Sequence, residues 1–181
     1  MGGRLNRWLV GRNAEGRSIK IRVMAAAVAA LAVSPAYAWN ATVEGPDVFG
    51  VTRVLAGEPG LQTNIVIQCQ SSGELFFAQI YPKKAFEDVS EMPAVLHIAV
   101  SDAPALKIAA KHRTWNDNFA GVVSSVEAAE LAPVLKAIRD AKGKILVGAE
   151  LGGNRISDSF SSSGSTAAMA KVIKECKLPV D

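Results

Sequence analysis

This chain has few side chains of the kinds that carry out catalysis or bind metals. Only two of its 181 residues are histidines, His97 and His112, and only two are cysteines, Cys69 and Cys176. Zinc-ligand spacings, glycine-rich phosphate loops and the serine motifs G-x-S-x-G and S-x-x-K are all absent from the sequence. The sequence therefore predicts no catalytic residue, no metal site and no cofactor.

No apolar run is long enough to span a bilayer, which needs about 20 residues. A ten-residue apolar stretch at 24–33 follows three basic residues between 17 and 22. Ala36 and Ala38 then stand at the −3 and −1 positions before Trp39. This is the pattern of a bacterial export signal. Residues 1–38 are predicted to be removed by cleavage after Ala38, which leaves the protein in the periplasm or secreted.

Removing the signal changes the charge of the protein. Residues 1–38 hold six of the 20 Lys and Arg residues and only one of the 17 acidic residues. Residues 39–181 therefore carry 14 basic and 16 acidic side chains, although the whole chain has a formal charge of +3. Such a slightly acidic chain offers no basic field for nucleic acid. Its length fits a single exported domain.

Both cysteines lie in the predicted mature chain. Since an exported protein reaches an oxidising compartment, the sequence favours a disulfide between Cys69 and Cys176 over a redox or metal-binding role.

Alternating apolar residues and runs of strand-forming residues predict several β-strands. The segments 64–70 and 74–81 form a predicted hairpin around a turn at 71–73. Further strands are predicted at 42–43, 51–55, 94–100, 106–110, 119–123, 144–149 and 155–161, and a tight turn at 152–154.

Two segments have a helical pattern. Ser124 and Glu127 have the spacing of a capping box, and Leu131, Val134, Leu135 and Ile138 share one helix face. Pro133 is expected to start the main helix and Gly143 to end it. A second helix is expected from 164–165, with Ala170, Ile173 and Cys176 on one face. The prediction is an α+β domain: an antiparallel sheet or small β-sandwich with two packed helices.

One segment combines cationic donors with a large aromatic side chain. Lys111, His112, Arg113 and Trp115 precede the turn-favouring residues 116–118. Because a few Trp and Arg side chains often dominate binding energy, these four residues are the predicted partner-binding loop. The alternative is a solvated loop whose Trp115 folds back on the sheet. His97 lies mid-strand and is interpreted as a core or half-buried histidine.

The two ends of the predicted mature chain resemble a known group. The residues concerned are Trp39, a strand ending in Ile67-Gln68-Cys69, and Phe160 followed by a helix that reaches Cys176. This arrangement is similar to small periplasmic proteins of the type VI secretion-associated VasI-like group, and more loosely to the invasion-associated periplasmic proteins. The resemblance implies a β-rich accessory protein with no known catalysis.

The functional hypothesis is a non-enzymatic periplasmic accessory protein that binds a protein partner in the cell envelope. One alternative is an inhibitor or immunity-type protein that blocks an envelope hydrolase with a protruding, braced loop, for which 111–118 is the candidate. Another is a hydrolase with an unrecognised site. A concave pocket that holds His97 or His112 against an acid would favour the enzyme.

Overall fold

The computed structural model of the protein describes residues 38–83, 91–101 and 103–179. All of these residues belong to a single unit within Pro35–Asp181. The signal prediction for residues 1–38 falls almost entirely outside the described residues.

The described residues form one antiparallel sheet of nine strands and two helices. The strands are β1 (Asn40–Glu44), β2 (Arg53–Pro59), β3 (Asn64–Gln70), β4 (Leu75–Pro82), β5 (Pro93–Val100), β6 (Leu106–Thr114), β7 (Phe119–Ser124), β8 (Ile145–Leu151) and β9 (Asn154–Phe160). The helices are α1 (Ala128–Arg139) and α2 (Ser165–Glu175).

The strand order is β1-β2-β3-β4-β7-β6-β5-β8-β9. Short turns build the meanders β1 to β4 and β5 to β7 and the hairpin of β8 and β9. The pairings of β4 with β7 and of β5 with β8 then join these three pieces. The predicted hairpin of 64–70 and 74–81 is confirmed as β3 and β4. So is the tight turn before β9, where Gly152 and Gly153 have φ of 55° and 83°, values that suit glycine.

Both helices pack on one face of the sheet, which we call the inner face. Its buried residues and those of the helices form one core cluster, which includes Ile67, Phe77, Leu96, Val147, Leu135 and Met169. The opposite face is called the outer face. The predicted apolar face of α1 is confirmed, because Leu131, Val134, Leu135 and Ile138 are buried. In α2 the buried residues include Ala168, Met169 and Val172, whereas the predicted Ala170 is exposed.

The sheet is strongly curved. The amide of Gln79 on β4 donates a hydrogen bond of 3.3 Å to the carbonyl of Val147 on β8. Four strand spacings separate these strands in the sheet order, which would be about 19 Å in a flat sheet. Curvature therefore brings the two halves of the inner face together.

The start of α1 differs from the prediction. Ser124 is the last residue of β7, and its hydroxyl accepts a hydrogen bond from the backbone N–H of Phe77 at 2.9 Å instead of capping a helix. The helix begins at Ala128 and continues through Pro133 to Arg139, well before Gly143. Pro133 removes only the hydrogen bond to the carbonyl of Ala129, and both residues are exposed. Water can replace that bond near the helix start, so the helix stays continuous.

The predicted disulfide is confirmed. Cys69 on β3 is bonded to Cys176 at the end of α2, with Cα atoms 6.1 Å apart. The bond holds α2 on the inner face. No helix in the described part of the chain is long and apolar enough to cross a membrane.

Candidate functional site

The predicted contact loop is mostly strand. β6 extends to Thr114, so Lys111, His112 and Arg113 are paired with β7 rather than lying in a loop. Successive side chains of a strand point to opposite faces. Lys111 and Arg113 are therefore on the outer face, and His112 is on the inner face between them.

His112 lies on the opposite face of the sheet from the other three predicted residues. Its side chain is only 2% exposed and its ring stacks on that of Tyr81, with centroids 6.1 Å apart. Its backbone is fixed by hydrogen bonds with Met92 and Glu91. His112 is therefore a buried residue of the inner face.

Trp115 directly follows β6 and lies on the outer face. Its indole meets Phe76 edge-on at 6.0 Å between ring centroids, and 37% of the residue remains exposed. The turn behind it is held by the side chain of Asn116, whose carbonyl oxygen accepts hydrogen bonds of 2.9 Å from the N–H groups of Asn118 and Phe119. The turn predicted at 116–118 is thus present and rigidly braced.

Glu91 connects the two cationic side chains. Its carboxylate lies 3.5 Å from Nζ of Lys111 and 3.3 Å from Nε of Arg113. The pairing of Pro93 with Lys111 brings the chain just before β5 alongside the end of β6. Nothing local to Glu91 in the sequence indicates this cross-strand pairing.

A second, smaller apolar cluster lies on the outer face next to these residues. Ala78, Ile80 and Val123 are buried, and Val66, Phe76 and Phe119 pack against them. The outer face thus carries apolar and aromatic side chains on β4 and β7 beside cations on β6. We call Lys111, Arg113, Trp115, Phe76 and Glu91 the outer-face site.

A shallow cleft of about 360 Å³ lies further along the outer face. The cleft lies over Gly148, which has no side chain to fill it, and His97 and Lys107 line one side. Nε2 of His97 is 3.7 Å from the carboxylate of Glu150, which also pairs with Arg155 at 3.2 Å. His97 is therefore half-buried and faces an acid, as an enzymatic site would require.

The backbone of β5 and β8 offers no free donor beside His97. β5 and β8 are interior strands, so their N–H groups are engaged in ladder hydrogen bonds. Cross-strand pairs of opposite charge are also an ordinary stabilising feature of a sheet surface.

A few polar side chains lie on the opposite, inner face, where the curvature of the sheet brings β9 close to the turn between β2 and β3. The carboxylate of Asp158 on β9 accepts hydrogen bonds from the N–H groups of Gln62 and Thr63 at 2.8 and 3.0 Å. Burial acts to raise the pKa of Asp158, but these hydrogen bonds and that from Ser159 outweigh it and lower the pKa. The hydroxyl of Thr63 also accepts a hydrogen bond from the amide of Gln79. These contacts hold the last strand against the turn between β2 and β3.

Glu58 on β2 is the other acid of this region. It is 2% exposed, and burial raises its pKa to about 7, although the N–H of Ser161 acts in the opposite direction. The carboxyls of Glu58 and Asp158 thus have pKa values displaced in opposite directions, which is a pattern of acid–base pairs. Glu58 does not line the cleft at His97, so we interpret both carboxyls as structural.

Among the described residues, no group of three or more His, Cys, Asp and Glu side chains is arranged to hold a metal ion. No protein-family model matches this chain, and no curated protein and no solved structure is significantly similar to it.

Proposed function

We propose that residues 39–181 are exported from a bacterial cell and act in the periplasm, or outside the cell, as a non-enzymatic binding or accessory protein. The partner is a protein of the cell envelope. The observation that supports this most is the outer-face site, where Arg113 and Lys111 lie beside the edge-on pair of Trp115 and Phe76.

The outer-face site has the composition of a binding centre. Tryptophan and arginine are the side chains most often found to carry interface energy. Here they are held before any partner arrives, since Phe76 packs against Trp115 and Glu91 pairs with Arg113. Such preorganisation lowers the entropy cost of association. The two cations favour a partner surface that bears carboxylates.

Three further features support the same proposal. Both helices cover the inner face, so we infer an α+β domain. The outer face of its sheet remains available to a partner. The disulfide between Cys69 and Cys176 suits an oxidising compartment. An accessory protein is also what the resemblance to the VasI-like group implies.

A different loop supports the inhibitor alternative. Val48 and Phe49 at the turn between β1 and β2 are 92% and 86% exposed. The carboxylate of Asp47 accepts hydrogen bonds from the N–H groups of Phe49 and Val51 at 2.8 and 2.9 Å. Two exposed apolar side chains on a braced loop are what an inhibitor would insert into an enzyme cleft. By contrast, the segment 111–118 lies in β6 as far as Thr114.

The hydrolase alternative depends on the cleft at His97. Its one supporting feature is the approach of His97 to Glu150. The N–H groups of β5 and β8 beside His97 are engaged in the sheet, so this alternative has the least support of the three.

Partner capture from envelope extracts tests the proposal. The processed protein, Arg113→Ala, Trp115→Ala and a matched control, Lys142→Ala, are each used as bait. Lys142 is also an exposed cation but lies beyond α1, away from the outer-face site. A partner should be captured by the unaltered protein and the control, and its affinity, measured after purification, should fall at least fivefold with Arg113→Ala.

Two results would contradict the outer-face site. One is equal affinity of that partner for all four proteins. The other is loss of binding only when Phe49→Ser is introduced, which would support the inhibitor loop instead.

A further inference from the structure

Trp39, the first residue after the predicted cut, is already part of the folded core. It is 5% exposed, whereas Ala38 before it is exposed. Its backbone N–H donates a hydrogen bond of 2.9 Å to the carbonyl of Ser163. Its indole N–H donates one of 2.8 Å to the carbonyl of Ser161. The nitrogen that would become the mature amino group is thus held at a fixed place.

Glu58 lies across from Trp39. Asn40 pairs with Gly57 in the antiparallel ladder of β1 and β2, so the register places Trp39 opposite Glu58. Both residues point to the inner face, and both are bound to Ser161. Its carbonyl accepts the indole hydrogen bond, and its N–H donates to Oε1 of Glu58 at 3.2 Å.

The carboxyl of Glu58 is incompletely satisfied. Oε1 is bonded to Ser161, but among the described residues Oε2 has no hydrogen-bond partner, and its surface is inaccessible. An ionised carboxylate in such a place is costly unless a positive group compensates it. The unbroken chain supplies only a neutral peptide nitrogen at position 39.

We propose that cleavage after Ala38 completes this site, because the new α-ammonium group of Trp39 forms an ion pair with the carboxylate of Glu58. Water adds across the peptide bond, the C–N bond breaks, Ala38 leaves with a carboxylate, and the nitrogen of Trp39 becomes an ammonium at neutral pH. The inference rests on the export step of the proposed function. Processing would then stabilise the fold as well as release the chain.

The other charged groups near Trp39 are already engaged. On α2, Nζ of Lys171 donates to the carbonyl of Ala41 at 3.1 Å, and Lys174 pairs with Glu175 at 3.7 Å. On β9, Asp158 accepts hydrogen bonds from three backbone N–H groups. Glu175 lines the groove beside Trp39 and is the competing acid. The nearby start of α2 is the positive end of its dipole and disfavours an unpaired ammonium.

A double-mutant cycle tests this pair. The processed protein is compared with an exported variant that has one extra alanine inserted after Ala38, which displaces the amino group by about 3.8 Å. Mass spectrometry verifies both N-termini. Each form is combined with Glu58→Gln and, as the matched control, with Glu175→Gln. We expect a higher melting temperature at pH 7 for the form that begins at Trp39, by roughly 3–5 °C.

The difference should disappear in Glu58→Gln and persist in Glu175→Gln. A difference that is absent, that survives Glu58→Gln, or that disappears with Glu175→Gln would overturn the proposal. If Glu58→Gln does not fold, NMR titration of the α-amino group of Trp39 decides. A pKa above the ordinary value of about 8 supports the pair, and an ordinary value refutes it. Partner capture plays no part in these measurements, so the outer-face site is tested separately.

Discussion

The indole of Trp115 meets the ring of Phe76 edge-on, with their planes inclined by 74°. The two residues come from β4 and from the end of β6, between which β7 lies. Trp115 is therefore partly structural, because it packs on the outer face, and is still exposed enough to touch a partner. Binding and stability effects at this residue have to be measured separately.

Trp115→Ala should lower the free energy of unfolding by more than about 1 kcal/mol, since an aromatic pair contributes about 0.5–1.5 kcal/mol in addition to the effect of the apolar area that it buries. A double-mutant cycle with Phe76→Ala, measured by denaturant unfolding, should give a coupling energy in that range. Arg113→Ala is the control: its side chain is 53% exposed, and an exposed ion pair contributes little. A coupling energy near zero would show that the two rings do not support each other.

Cys176→Ser should destabilise the protein by up to about 4–5 kcal/mol, because the disulfide closes a loop with a sequence separation of 107 residues. Urea unfolding of the oxidised protein and of the variant measures the loss. Cys69→Ser should lose a similar amount. Peptide mapping without reduction checks the bond itself, and two free thiols in exported protein would refute it.

Stability should depend on pH through Glu58. Burial raises its pKa in the folded protein from 4.5 to about 7, so the folded state binds more protons than the unfolded state between these values. Stability therefore falls as pH rises from about 4.5 to 7, by on the order of 1–3 kcal/mol. In urea unfolding, the variant with the extra alanine should show this fall in the free energy of unfolding. Glu58→Gln should remove the part of the fall that comes from Glu58. An ammonium at Trp39 would reduce the slope.

Asp158→Asn should destabilise the protein by about 1–3 kcal/mol, because the side chain accepts charge-assisted hydrogen bonds from the turn at Gln62 and Thr63. The pKa of Asp158 is lowered in the folded protein. Its contribution is therefore present above the unfolded pKa of about 3.8 and lost as pH falls through the folded value. Melting curves from pH 2 to 6 should show a weaker acid dependence for the variant. Curves that coincide would refute this role.

Mass spectrometry of the exported protein should give Trp39 as the first residue. The small residues at −3 and −1 of the predicted cleavage site are the reason. Recovery of an intact chain that begins at Met1 would exclude processing, and the ion pair between Trp39 and Glu58 with it.

Local patterns were sufficient for several elements of the fold. The alternation in 64–70 predicted β3, the two glycines at 152–153 predicted the turn before β9, and the segment after Gly164 predicted α2. These signals depend on neighbours within a few residues. The disulfide follows from a count of two cysteines in a chain whose sequence predicts export.

Non-local pairing was not accessible to the same reasoning. The polar run from Lys111 to Thr114 has the composition of a loop, although it forms the end of β6, with only His112 on the inner face. The pairing of β4 with β7 and the approach of Glu91 to Arg113 depend on segments distant along the chain. The sequence gives no sign that three polar residues are covered, because polar side chains usually lie at the surface. The curvature of the sheet covers Glu58, Gln79 and Asp158.

If the chain is exported as we propose, the bond between Cys69 and Cys176 also sets an order of events. A chain that crosses the membrane from its N-terminus presents Cys69 to the oxidising side 107 residues before its partner arrives. No other cysteine follows the predicted signal, so the first thiol has no wrong partner within its own molecule. In an exported chain the bond could form only after β4 to β9 have crossed, so oxidation would fix α2 on strands that are already on the oxidising side.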